Sequence, residues 1–64
     1  KMIVNRRKLE LAMARACMNA ADLQKAAEMP RPTLNNAIVG KDVRTATVGK
    51  IARALGVDPE EIVD

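Results

Sequence analysis

Pro30 restricts this chain more than any other residue. Its ring disfavours helical geometry at the preceding Met29, and its missing N–H cannot serve a helix interior. Yet apolar residues keep helical spacing on both sides of it. Leu23, Ala26 and Ala27 share one face before the proline, and Leu34, Ala37 and Ile38 share one face after it. The stretch AADLQKAAEMPRPTLNNAI, Ala20 to Ile38, therefore reads as a short helix, a tight turn at Glu28-Met29-Pro30 plugged by Met29, and a second short helix. Pro32 suits the first turn of that second helix, where a missing N–H costs nothing. Gly40 supplies the residue that commonly ends a helix.

The flanks supply further helices. Asn5 is a good N-cap, with Val4 and Leu9 at the two positions of a hydrophobic staple. Leu9, Ala12, Met13, Ala16 and Cys17 then form an amphipathic stripe. Cys17 is read as a small buried or half-buried residue, because no activating neighbour stands near it in sequence. Asn19 with Asp22 three residues later makes a capping-box-like start for the next helix. Beyond Gly40, Lys41-Asp42-Val43-Arg44 reads as a polar connector, and Thr45 or Thr47 as the cap of a fourth helix with Val48, Ile51, Ala52 and Leu55 inward. Gly49 within that helix costs roughly 1 kcal/mol against Ala, which asks for a compensating close approach to another helix or to a phosphate. Gly56-Val57 is a helix stop, and Asp58-Pro59-Glu60-Glu61 is the start of a fifth helix. Met2, Ile3 and Val4 form an apolar lead-in that either caps the core, the favoured reading, or pairs with another subunit. Every connector is short, so the expected fold is all-α: one domain over residues 1–64, a compact five-helix bundle around a central helix-turn-helix.

Composition narrows what such a bundle can do. With 64 residues, no aromatic side chain, no histidine and one cysteine, the chain has one small aliphatic core, no internal disulfide and no zinc site. Met13, Met18 and Met29 fill that core. A catalytic reading fails for the same reasons, since there is no activated nucleophile, no phosphate-cradling glycine loop and little depth for a pocket. No enzyme and no cofactor are expected. All 11 bases but only four of the eight acids lie in residues 1–57, leaving +7 there, and the other four acids lie in residues 58–64. A basic body with an acidic end points to a polyanion partner held away from that end. Arg6, Arg7 and Lys8 at a helix start oppose the helix dipole, and face either phosphate or solvent. No apolar run approaches the ~18 residues of a membrane span, and no signal-peptide core follows Met2, so the expected compartment is the cytoplasm.

The second helix of the central pair carries the functional signal. Apart from its apolar face it offers Arg31, Pro32, Thr33, Asn35 and Asn36. Asn can donate and accept at once, matching adenine N6 and N7, and Arg can fork onto guanine O6 and N7. Arg31 and Asn35 are the candidates for base contacts, and Thr33, Asn36, Lys41 and Arg44 for phosphate. Phosphate contacts place a protein on the duplex without reading its sequence.

Two stretches, MNAADLQKAAEMPRPTLNNAIVGK and TVGKIARALGVDPEEIV, resemble the phage-repressor/Cro-like helix-turn-helix domains, the XRE-like regulators, and the resemblance covers residues 5–63. It implies five helices, with the third in the major groove of double-stranded operator DNA, and a homodimer spanning two half-sites. By position it assigns Arg31, Pro32, Asn35 and Asn36 to the face that meets bases and phosphates, Thr33 to the first turn, and Lys41 and Arg44 to the loop that crosses the backbone. Three residues depart from the pattern: Gln24 where Ala is favoured, Glu28 where a turn Gly is usual, and Ala20 where a Gln often touches DNA. The function implied is a sequence-specific transcriptional regulator, a repressor acting sterically. The alternative is a protein-interaction module, either an antitoxin that neutralises a toxin or an adaptor for a partner such as an anti-repressor.

Overall fold

The computed structural model describes residues 2–64. Four α-helices account for most of the chain: α1 (Arg6–Arg15), α2 (Ala20–Ala27), α3 (Arg31–Ile38) and α4 (Thr45–Leu55). Two-residue strands β1 (Met2–Ile3) and β2 (Asp42–Val43) and a 3₁₀ turn at Pro59–Glu61 complete it. Local chemistry starts the first two helices as anticipated. The Asn5 side chain accepts from Lys8 N–H at 3.0 Å, and Asn19 and Asp22 exchange bonds of 2.8 and 3.1 Å in a closed capping box.

The core is aliphatic. Leu9, Leu23, Leu34, Ile51 and Ile62 are its largest fully buried side chains, with Val4 and Val48. Met29 is buried and plugs the turn, whereas Met13 and Met18 pack against the core only partly buried. α2 packs most extensively on α4, and α3 on β2.

All four helices end alike. The residue after the last full turn adopts a left-handed conformation, at Cys17 (φ 57), Glu28 (φ 54), Gly40 (φ 87) and Gly56 (φ 72). The next N–H reaches back five residues: Met18 to Met13 (3.0 Å), Met29 to Gln24 (3.4 Å), Lys41 to Asn36 (2.9 Å) and Val57 to Ala52 (3.0 Å). These are Schellman closures. Three of the four donors, Met18, Met29 and Val57, are apolar residues turned into the core or packed against it.

Several sequence expectations need correction. Among the described residues there is no fifth α-helix. Pro59–Glu61 makes a single 3₁₀ turn, and the chain then straightens so that Val63 bridges to Val4. Asn5 N–H donates to the Ile62 carbonyl at 2.8 Å. Extension here satisfies backbone groups of the lead-in while burying Ile62 and Val4. Nor is the fold purely helical, because β1 pairs antiparallel with β2, Met2 opposite Val43 and Ile3 opposite Asp42. The supposed polar connector thus contains a strand with Val43 in the core. Cys17 is exposed, because it occupies the left-handed closing position rather than the stripe. Ala26 is exposed and Ile38 only half-buried. Arg44, not a threonine, holds the N-cap position of α4, and no side chain caps it.

The acidic end folds onto α1. Arg15 Nη1 meets Glu61 Oε1 at 3.3 Å, Lys8 Nζ donates to the Val63 carbonyl at 3.1 Å, and Asn5 Nδ2 donates to Asp64 Oδ1. Arg6 pairs with Glu10 at 3.4 Å. Arg6 and Lys8 are thereby engaged within the chain, which weakens the phosphate-facing reading of that basic run.

The backbone N–H of Asp58 and, second, the Arg15 guanidinium both bond the Glu61 carboxylate and hold its pKa below the ordinary glutamate value. Stability from this lowered pKa is present above the ordinary value and lost as pH falls through the folded one. We expect Glu61→Gln to flatten the acid limb of a denaturation series taken from pH 7 to 3; an unchanged limb would remove Glu61 from the acid response. Gly49 offers a second test. A Cβ built there meets nothing within 4 Å, so within the chain no close approach requires glycine. Gly49→Ala should stabilise by about 1 kcal/mol, raising Tm by roughly 4–8 °C for a domain of this size. A fall in Tm would contradict this.

Candidate nucleic-acid interface

Burial on one side of α3 determines what the other side presents. Leu34 and Ala37 are both 0% exposed, while Arg31, Pro32, Asn35 and Asn36 are exposed and Thr33 is half-buried. The helix is stopped by Gly40, whose closure places the Lys41 N–H on the Asn36 carbonyl. β2 follows immediately and packs on α3 through buried Val43. Lys41 and Arg44, both exposed, bracket that strand.

The structure therefore ties most of the anticipated site residues together. Arg31 Nε donates to Asn35 Oδ1 at 3.2 Å, across one turn of α3. Asn36 and Lys41 are joined through the backbone. Pro32 and Thr33 lie at the second and third positions of the same helix. Arg44 is linked to the group only through β2; its own carbonyl starts α4, accepting from Thr47 and Val48 at 3.0 and 3.2 Å.

Electrostatics favour an anion here. The ion pairs among the described residues lie on α1 and between α1 and the 3₁₀ turn, so Arg31, Lys41 and Arg44 have no carboxylate partner among those residues. Neither α3 nor α4 has an acidic residue in its first turn, and neither carries a side-chain cap. Their partial positive ends are left uncompensated, which suits phosphate. Thr45 belongs with this group as the first residue of α4, directly after Arg44. In sequence, Thr45 or Thr47 reads as the cap of α4; the two-residue strand at Asp42–Val43, followed by Arg44 at the N-cap, leaves no local signal.

A short α2, a left-handed turn at Glu28 closed by buried Met29, and a second helix with a polar outer face define a helix-turn-helix DNA-binding domain. A family model for Cro/C1-type helix-turn-helix DNA-binding domains matches residues 8–64, and the chain belongs to that family. Comparison with curated proteins and with solved structures found no significant match. The fold is one that binds DNA rather than one built for catalysis. No helix among the described residues is long and apolar enough to cross a membrane.

Proposed function

We propose that this protein is a sequence-specific repressor that covers an operator as a homodimer, with α3 in the major groove. The observation that carries this reading is the polar outer face of α3, fixed by the burial of Leu34 and Ala37 and flanked by uncompensated positive charge. An eight-residue helix is about 12 Å long at 1.5 Å per residue, a length comparable with the ~12 Å width of the major groove. Arg31 and Asn35 serve base reading; Thr33, Asn36, Lys41 and Arg44 hold phosphates; Pro32 lines the face between them. Two half-sites lie about one helical turn apart.

Support for the dimer comes from the lead-in. Ile3 is 55% exposed and lines a hollow together with Met2, Asp42, Val63 and Asp64. An apolar side chain on the outer face of the small ribbon suits contact with a second copy. Ile3→Lys is expected to shift the protein toward monomer in sedimentation analysis and to weaken binding to a two-site duplex; a persistent dimer would place the interface elsewhere.

Binding should weaken steeply with salt, because bound phosphates release counterions. In titrations of duplexes selected from a random pool, Lys41→Ala should lower affinity for every duplex and reduce the log–log salt slope by about one. An unchanged slope would take Lys41 out of the phosphate set. Asn35→Ala should weaken the best selected site far more than random DNA, and equal losses on both would take Asn35 out of base reading.

A further inference from the structure

We propose that Asn35 is a positioning residue for Arg31, and that the pair makes a guanine in each half-site essential. This rests on the reading of α3 as the base-reading helix and goes beyond it by naming the base and the device that selects it.

The two side chains stand four residues apart on one helix, where i and i+4 are neighbours. Asn35 Oδ1 accepts the Nε–H of Arg31 at 3.2 Å. That bond uses the one guanidinium N–H on the stem side and leaves the Nη1 and Nη2 groups free. Their end-on fork matches the two acceptors of guanine, O6 and N7, in the major groove. Adenine presents an N6 amino donor beside its N7 acceptor, so an all-donor fork meets a donor there. No carboxylate among the described residues competes for Arg31.

The bond also removes freedom before DNA arrives. A long exposed arginine samples many rotamers, and ordering it on binding opposes affinity. Asn35 holds the stem, so less freedom is lost when the fork engages. It acts through an acceptor atom, and any side chain that keeps an acceptor at Oδ1 can replace it in this role. Asn36, one residue on, makes no such bond to Arg31.

The experiment uses the whole chain and a duplex chosen from a random pool by the wild type. Each guanine common to the selected half-sites is replaced, one at a time, by 7-deazaguanine, which lacks the N7 acceptor. The readout is the affinity ratio, normal over substituted, for wild type, Asn35→Ala, Asn35→Asp and Asn36→Ala. One guanine should give a ratio of about 5 or more in the wild type, the lower end of what a bidentate contact discriminates. Asn35→Ala should bring that ratio to about 2 or less. Asn35→Asp keeps the acceptor and should keep the ratio within about twofold of wild type, although its negative charge lowers affinity for every duplex. Asn36→Ala should leave the ratio unchanged.

A wild-type ratio near 1 at every guanine, or selected sites without a common guanine, would overturn the guanine assignment while leaving DNA binding intact. A full ratio in Asn35→Ala, or a lost ratio in Asn35→Asp, would overturn the positioning role. Failure of the wild type to bind any duplex would overturn the functional reading itself, and this inference with it.

Discussion

Burial of Leu34 and Ala37 is the constraint on which the candidate site depends. Both are fully withdrawn from solvent, and on an eight-residue helix two such anchors leave no rotational freedom about the axis. Residues 31, 32, 35 and 36 must then face outward. Val43 lies in the same core, and β2, which packs on α3, holds the loop that carries Lys41 and Arg44. The core does not merely support the polar face; it selects which residues compose it.

Charge is arranged around the same constraint. The acidic residues 58–64 fold back onto α1, where Arg15 and Lys8 engage Glu61 and the Val63 carbonyl. The bases of α3 and the loop after it keep no such partner among the described residues. A modest overall charge of +3 is thus divided into a compensated end and an uncompensated one. Because α3 and α4 begin without acidic residues or side-chain caps, their dipoles add to the uncompensated side. At α3 the cap position is held by Pro30, which has no polar side chain to offer.

Features set by neighbouring residues were legible in the sequence. Asn5, the Asn19–Asp22 box, Pro32 in a first helical turn and the left-handed Gly40 and Gly56 all act within a few residues of themselves. What escaped reading acts at a distance or against local preference. Two-residue strands show no period, and Met2–Ile3 finds its partner some forty residues away at Asp42–Val43. Val4, just after β1, likewise bridges to distant Val63, where the sequence reads as a fifth helix. Cys17 and Glu28 take left-handed conformations that ordinarily cost a non-glycine residue about 1–2 kcal/mol. Nothing in either side chain announces it. The signal lies one residue on, where Met18 and Met29 are drawn toward the core and impose the closure on the residue before them. The candidate site itself was legible in residue type and spacing, but the hydrogen bond joining Arg31 to Asn35 was not, because spacing alone does not say which i, i+4 pairs form.

The most direct test of the account maps the surface that meets DNA. Amide chemical shifts of the labelled protein would be followed while a selected duplex is added. Changes concentrated on residues 31–36 and 41–45, with α1 and residues 58–64 quiet, are the predicted result. Changes centred on α1 or the ribbon, with α3 unmoved, would contradict the claim that α3 and its flanking loop meet the duplex.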